Sequence, residues 1–240
     1  ENIDAAYWSF RKFRELPATI NQFRRDWMDF SQEIPDISKR SDLTATNRMM
    51  VTYLALDQMA SAKNWFQKNI KLAVKFNAPE HIGYTYMDYA KGIYHKDLSL
   101  ALQYLQIADR YFQTPSEKRR HLDCLCEIEY VKLLIGEGSI QKLLLAQEKL
   151  FENQYWIQYY KCHLKLAVCY ILKNKYSNAQ SCLIEAEAHI IMRNDERVKY
   201  LCSIINAILH NEPISYENAA LSGTSYQKMI DHVYLDPRVW

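Results

Sequence analysis

Four positions spaced almost evenly along the chain, Ala62, Ala101, Ser139 and Ala179, constrain its fold most, because the gaps between them are 39, 38 and 40 residues. Four residues beyond each stands a large apolar side chain: Phe66, Leu105, Leu143 and Leu183. Three further on come Asn69, Ala108, Ala146 and Ala186, and nine residues before the anchors stand Tyr53, Gly92, Tyr130 and Tyr170. Such a register has a physical cause. Two helices approach closely only where a small side chain faces the partner, and the bulky residue beside it fills the remaining groove. One helix pair cannot bury both of its faces, so a sequence that repeats the pair stacks it on its neighbours.

The stretches between breakers agree with helices. Pro79, Pro115, Gly136-Glu137-Gly138, Lys173-Asn174-Lys175, Asn194-Asp195 and Asn211-Glu212-Pro213 divide the chain into segments of helical length. Within them apolar stripes recur at helical spacing: Tyr86, Tyr89, Ala90 and Ile93; Ala101, Leu105, Ala108 and Phe112; Leu166, Ala167 and Tyr170; Ala179, Leu183 and Ala186. Only 5 glycines and 6 prolines occur in 240 residues, which argues against sandwiches and barrels. Ser61, Ser116 and Asn153 are the expected N-cap residues. The expectation is an all-α fold.

The fourth unit, Leu166-Ala167-x-x-Tyr170 followed by Ala179-x-x-x-Leu183-x-x-Ala186, resembles a tetratricopeptide repeat, and Met49-Met50-x-x-Tyr53 with Ala62 and Phe66 is similar to it. The third unit places Cys126-Glu127 and Ser139 at the family's Leu-Gly and Ala positions, and the second places Gly92 at its tyrosine position. The resemblance implies a TPR-like α-solenoid of antiparallel helical hairpins, four of them over residues 43–193. Residues 1–40 would form an N-terminal helical cap, with Trp8, Phe10, Phe13, Phe23, Trp27 and Phe30 packed on the first repeat. Residues 195–240 would form a C-terminal cap, beginning with a helix over 195–211. Caps are expected because the last apolar face of an array otherwise stays wet.

Several kinds of chemistry find no support. Thirty basic and 28 acidic side chains leave a net charge of +2, so no strong field gathers nucleic acid or an anionic membrane. The basic clusters at 11–14, 24–25, 39–40 and 118–120 are short, and residues 1–48 hold eight basic and eight acidic side chains. Aromatics alternate with arginines there, yet Trp8, Phe13 and Phe23 fall at core spacing. No run approaches the roughly 18 apolar residues of a membrane span. Six cysteines, Cys124, Cys126, Cys162, Cys169, Cys182 and Cys202, sit inside apolar helical pattern and read as free buried thiols of a cytoplasmic protein. His121 and Cys124 share a helix face, but two ligands do not make a zinc site and no orienting group or oxyanion donor accompanies them as a nucleophilic pair. Glu127 and Glu129, two residues apart, read as solvated face. Neither enzyme activity, nor a metal, nor a cofactor is expected.

In such a solenoid the first helix of each pair lines a concave face where an extended segment or helix binds. Carried onto this register, the resemblance places Thr44, Asn47 and Val51, then Gly83, Tyr86 and Ala90, then His121, Cys124 and Ile128, then Lys161, Leu164 and Val168 in that groove. The expected ligand contacts are Asn47, Tyr86, His121, Cys124, Lys161 and Leu164. Leu164 and Val168 stand where chaperone-tail binders of the family hold a peptide carboxylate, so that clamp is not expected. The expected function is a protein- or peptide-binding scaffold. The Glu1 start and the closing "YLDPRVW" are similar to the C-terminal repeat region of bacterial signal-transducing NTPases, which implies a ligand-sensing domain of a larger signalling or defence protein. The expected partners are a protein or peptide ligand, with the chain part of a larger one or a homo-oligomer. The alternative is a nucleic-acid-associated accessory domain that uses the basic clusters.

Overall fold

One turn geometry recurs at four of the helix junctions. Asn77, Gln154 and Asn174 hold φ of 48°, 58° and 56°, and Gly136 holds 82°. Just beyond each, an amide reaches back five residues: Ala78 N to Ala73 O and Tyr155 N to Leu150 O at 2.9 Å, Glu137 N to Lys132 O and Lys175 N to Tyr170 O at 2.8 Å. This closure satisfies carbonyls that a helix end would otherwise orphan, and it needs a left-handed residue, a role suited to Gly and Asn. The turn Lys173-Asn174-Lys175 is therefore a helix stop of the same kind as the three others.

The computed structural model describes residues 40, 42–55, 58–94 and 96–190, and positions 202, 205, 206, 209 and 210. Among them lie eight α-helices and no strand: α1 Asp42–Ala55, α2 Met59–Lys75, α3 Pro79–Ile93, α4 Leu98–Tyr111, α5 Lys118–Leu134, α6 Ile140–Glu152, α7 Trp156–Leu172 and α8 Tyr176–Ile190. A short 3-10 turn, Pro115–Glu117, precedes α5. Pro79 opens α3, where its missing amide hydrogen costs nothing. Each helix packs on the next, and the pairs α1–α2, α3–α4 and α7–α8 are the most intimate, while α5 packs about as closely on α4 as on α6. The first helices α1 and α3 also touch, as do α5 and α7. No described helix is long and apolar enough to cross a membrane. The aromatic residues expected to cap the N-terminus, three of the four basic clusters apart from Arg40, and the closing tail lie outside the described residues.

The repeat anchors sit where close approach demands them. Ala62, Ala101 and Ala179 are fully buried, as are Leu105 and Leu143, with Leu183 almost so. Of the third set, Ala108 and Ala186 are fully buried, while Asn69 is buried with its Nδ2 donating to Thr46 O at 3.2 Å. Ser139 is different. It is exposed and caps α6, because the second helix of that pair begins later. Its close approach is made one residue earlier: a Cβ added to Gly138 would lie 2.5 Å from Leu133 N. Cys202 and Ile205, helical and three residues apart, join the same core beyond α8. The expected caps at Ser61, Ser116 and Asn153 are not N-caps. Ser61 lies inside α2, Ser116 inside the 3-10 turn, and Asn153 at the end of α6. The cap whose side chain is bonded is Asp97, which accepts from Leu100 N at 2.8 Å and starts α4.

All six cysteines are free and buried. Cys124 Sγ lies 3.3 Å from Leu105 O, and Cys162 Sγ lies 3.9 Å from Leu143 O. Both pairs are 19 residues apart, so Cys162 is the fourth pair's counterpart of Cys124. Aligning that pair on Leu183 instead, as the sequence alone suggests, carries its groove positions two residues too far, onto Leu164.

Candidate functional site

The most chemically distinctive place among the described residues is an ionic strip that crosses α3, α5 and α7 and is tied to α1. Spacing of three or four residues puts two charged side chains on one face of each helix: Asp88 and Lys91 on α3, Asp123 and Glu127 on α5, Lys161 and Lys165 on α7. Asn47 on α1 donates through Nδ2 to Asp88 Oδ2 at 2.6 Å. Lys91 Nζ lies 2.7 Å from Glu127 Oε1 and 4.0 Å from Asp123 Oδ2. Lys165 Nζ meets the same Glu127 Oε1 from the other side at 3.2 Å. The Tyr94 hydroxyl, just past the end of α3, donates to Glu127 Oε2 at 3.2 Å. One carboxylate thus joins three successive first helices.

Burial makes these contacts strong and their loss expensive. The side chain of Glu127 is 0% exposed and that of Lys165 1%, against 16% for Lys91. Burial alone would push the Glu127 carboxyl upward, but the fields of Lys165 and Lys91 outweigh it and hold the group at about 2. Burial would lower Lys91, and Asp123 and Glu127 instead push it above the ordinary lysine range. Burial lifts the Tyr94 hydroxyl, and the Glu127 charge lifts it further, so it stays a donor. Lys161, partly exposed at the edge of the strip, falls to about 8: burial and the positive charge of Lys91, then Lys165, outweigh Asp123 and Glu127.

The six expected ligand contacts divide against this frame. Asn47 and Lys161 lie on the strip. Tyr86, Cys124 and His121 face the second helix of the preceding pair. Tyr86 meets Phe66 edge-on at 5.1 Å between ring centroids, within a cluster that includes Tyr89 and Tyr104. His121 Nδ1 lies 2.7 Å from Asp109 Oδ1, and Gln113 Nε2 donates to the same carboxylate. Cys124 and Leu164 are fully buried, so neither side chain can touch a ligand; this corrects the expected groove at those two positions. Gly83, Ala90, Ile128 and Val168 are buried as well. The reason is a rotation of each first helix: its apolar stripe is spent on the preceding pair, and the charged residues lie on another side, where Asp88, Lys91 and Lys161 are partly exposed while Asp123, Glu127 and Lys165 are buried.

Glu127 is likewise corrected, from solvated face to the buried centre of the strip. The sequence did hold a signal for it, since Lys91 and Glu127 are 36 residues apart and Glu127 and Lys165 38, close to the repeat. Burial first, and the Asp109 charge next, lift the Cys124 thiol well above the ordinary range, which disfavours the thiolate that a nucleophile needs. Among the described residues no three His, Cys, Asp or Glu side chains converge as metal ligands would. A pocket of about 260 Å³ at the turn end is lined by Leu133, Leu134, Gly136, Cys169, Leu172 and Lys173. Comparison with family models, with curated proteins and with solved structures finds no match.

Proposed function

We propose that the chain is a non-enzymatic protein- or peptide-binding scaffold, a TPR-like α-solenoid with helical caps that works in the cytoplasm as the ligand-sensing part of a larger signalling protein. The observation that carries this reading is the strip of charged side chains running across α3, α5 and α7 and tied to α1 through Asn47. A face shared by consecutive first helices is where stacked hairpins receive an extended segment. Six buried free thiols favour a reducing compartment.

The chemistry of the strip refines the ligand class. Its reachable groups are Asp88, Lys91 and Lys161, all partly exposed. They suit a segment carrying charged side chains, whose hydrogen bonds fix position and register. The test is an array of charged and apolar peptides probed with the chain and with its Lys161→Met and Lys161→Glu variants, folding being checked by circular dichroism. Charged peptides retained by the parent and lost or reordered by Lys161→Glu support the reading. Equal retention by all three proteins, or retention of oligonucleotides alone, overturns it.

A further inference from the structure

Lys91 is held between two carboxylates on one helix face, one turn apart. Its Nζ is 2.7 Å from Glu127 and 4.0 Å from Asp123, and it is the most exposed member of the buried set. Glu127 keeps a second cation, Lys165 at 3.2 Å, and a hydroxyl donor, Tyr94 at 3.2 Å, so it stays compensated if Lys91 leaves. A buried carboxylate with no remaining partner would forbid that step. Here nothing forbids it, and Asp123 offers Lys91 a second berth.

We infer that Glu127 is the keystone of a conformational lock: with Lys91 and Lys165 both engaged, α3, α5 and α7 are held at one stacking arrangement, and transfer of Lys91 to Asp123 lets α3 shift while α5 and α7 stay joined. The lock has two discrete positions, which is what a switching element in a packed array requires. Its role is to set arrangement more than stability, because a buried ion triad replaced by apolar residues of similar volume commonly costs nothing.

The experiment is native-state amide exchange of the full chain, resolved helix by helix, beside urea unfolding. In the variant Lys91→Met/Glu127→Met/Lys165→Met the urea midpoint should hold or rise, while amides of α3 and α5 exchange at least 10-fold faster. Asp123→Asn, which removes the second berth and leaves the triad in place, should slow exchange in α3 several-fold and leave α7 unchanged. The lock is overturned if the triple variant exchanges as slowly as the parent. It is also overturned if that variant fails to fold, since the network would then supply stability and not arrangement. Unchanged or faster α3 exchange in Asp123→Asn overturns the two-berth transfer. None of these readouts requires a ligand, so they stand apart from the binding reading.

Discussion

Gly92 offers the most direct test of how the first two pairs stack. A Cβ built there would lie 2.6 Å from Leu54 Cδ1 and 2.9 Å from both Cδ2 and Cγ. Leu54 is 1% exposed and belongs to the main core, so relieving the overlap means pushing a packed side chain into filled space. Overpacking of this kind costs about 1–3 kcal/mol. Alanine returns about 1 kcal/mol of helix propensity over glycine. The net expectation for Gly92→Ala is a loss of roughly 0–2 kcal/mol, or up to about 8 °C in melting temperature for a chain of this size. Leu54→Ala alone should cost about 2–5 kcal/mol by leaving a cavity. In the double variant the new methyl enters the vacated volume, so the pair should be less destabilised than the sum by at least ~1 kcal/mol. Urea midpoints at constant slope measure all three. A Gly92→Ala protein more stable than the parent, or costs that add within about 0.5 kcal/mol, would refute the close approach of α1 to α3.

Lys161 sits at about 8, below its ordinary 10.5, so between those values the folded chain binds fewer protons than the unfolded one. Its contribution to stability therefore rises as pH climbs from 8 towards 10.5, and urea midpoints at pH 7 and 9.5 should show Lys161→Met more stable than the parent at pH 7 with a flatter slope. Asp97→Ala removes the side-chain cap of α4, whose Oδ1 accepts from Leu100 N at 2.8 Å. It should cost about 1 kcal/mol, with Asp97→Asn costing less, and a midpoint indistinguishable from the parent's would show that the cap is not made in solution.

The pair architecture was legible because its causes are local. Alanine at Ala62, Ala101 and Ala179 lies buried where helices touch, and the turn residues Asn77, Gly136 and Asn174 supply the left-handed conformation that stops α2, α5 and α7. What escaped was rotation. A shift of one position about a helix axis turns a side chain by 100°, and the apolar pattern of α5 and α7 runs nearly all round: Cys162 to Cys169 are buried without a break. Periodicity cannot orient such a helix. The stripe assigned to the open side, Cys124 and Leu164 included, therefore proved to be interior. Gln154 stops a helix with φ 58° although it is neither glycine nor asparagine, so composition gave no warning of that turn.

Rotation also explains why charge is placed at the centre of the array. Alanine against leucine at equivalent positions makes the interfaces of a repeat nearly interchangeable, so packing alone would tolerate a pair stacked out of order. The polar contacts are not interchangeable. The first step uses Asn47 with Asp88, the second Lys91 and Tyr94 with Glu127, and the third Glu127 with Lys165. Stacking α7 directly on α3 would set Lys165 against Lys91 with no carboxylate between them. At 4 Å and an effective dielectric of about 20, two such charges repel by about 4 kcal/mol. Stacking α5 on α1 would take both Lys91 and Tyr94 from Glu127 and leave it Lys165 alone. The repulsion in the first case is a large share of the 5–15 kcal/mol that keeps a domain folded. The apolar repeat makes the pairs adhere, and a single buried glutamate, unlike anything at the same place in its neighbours, decides which pair lies next to which.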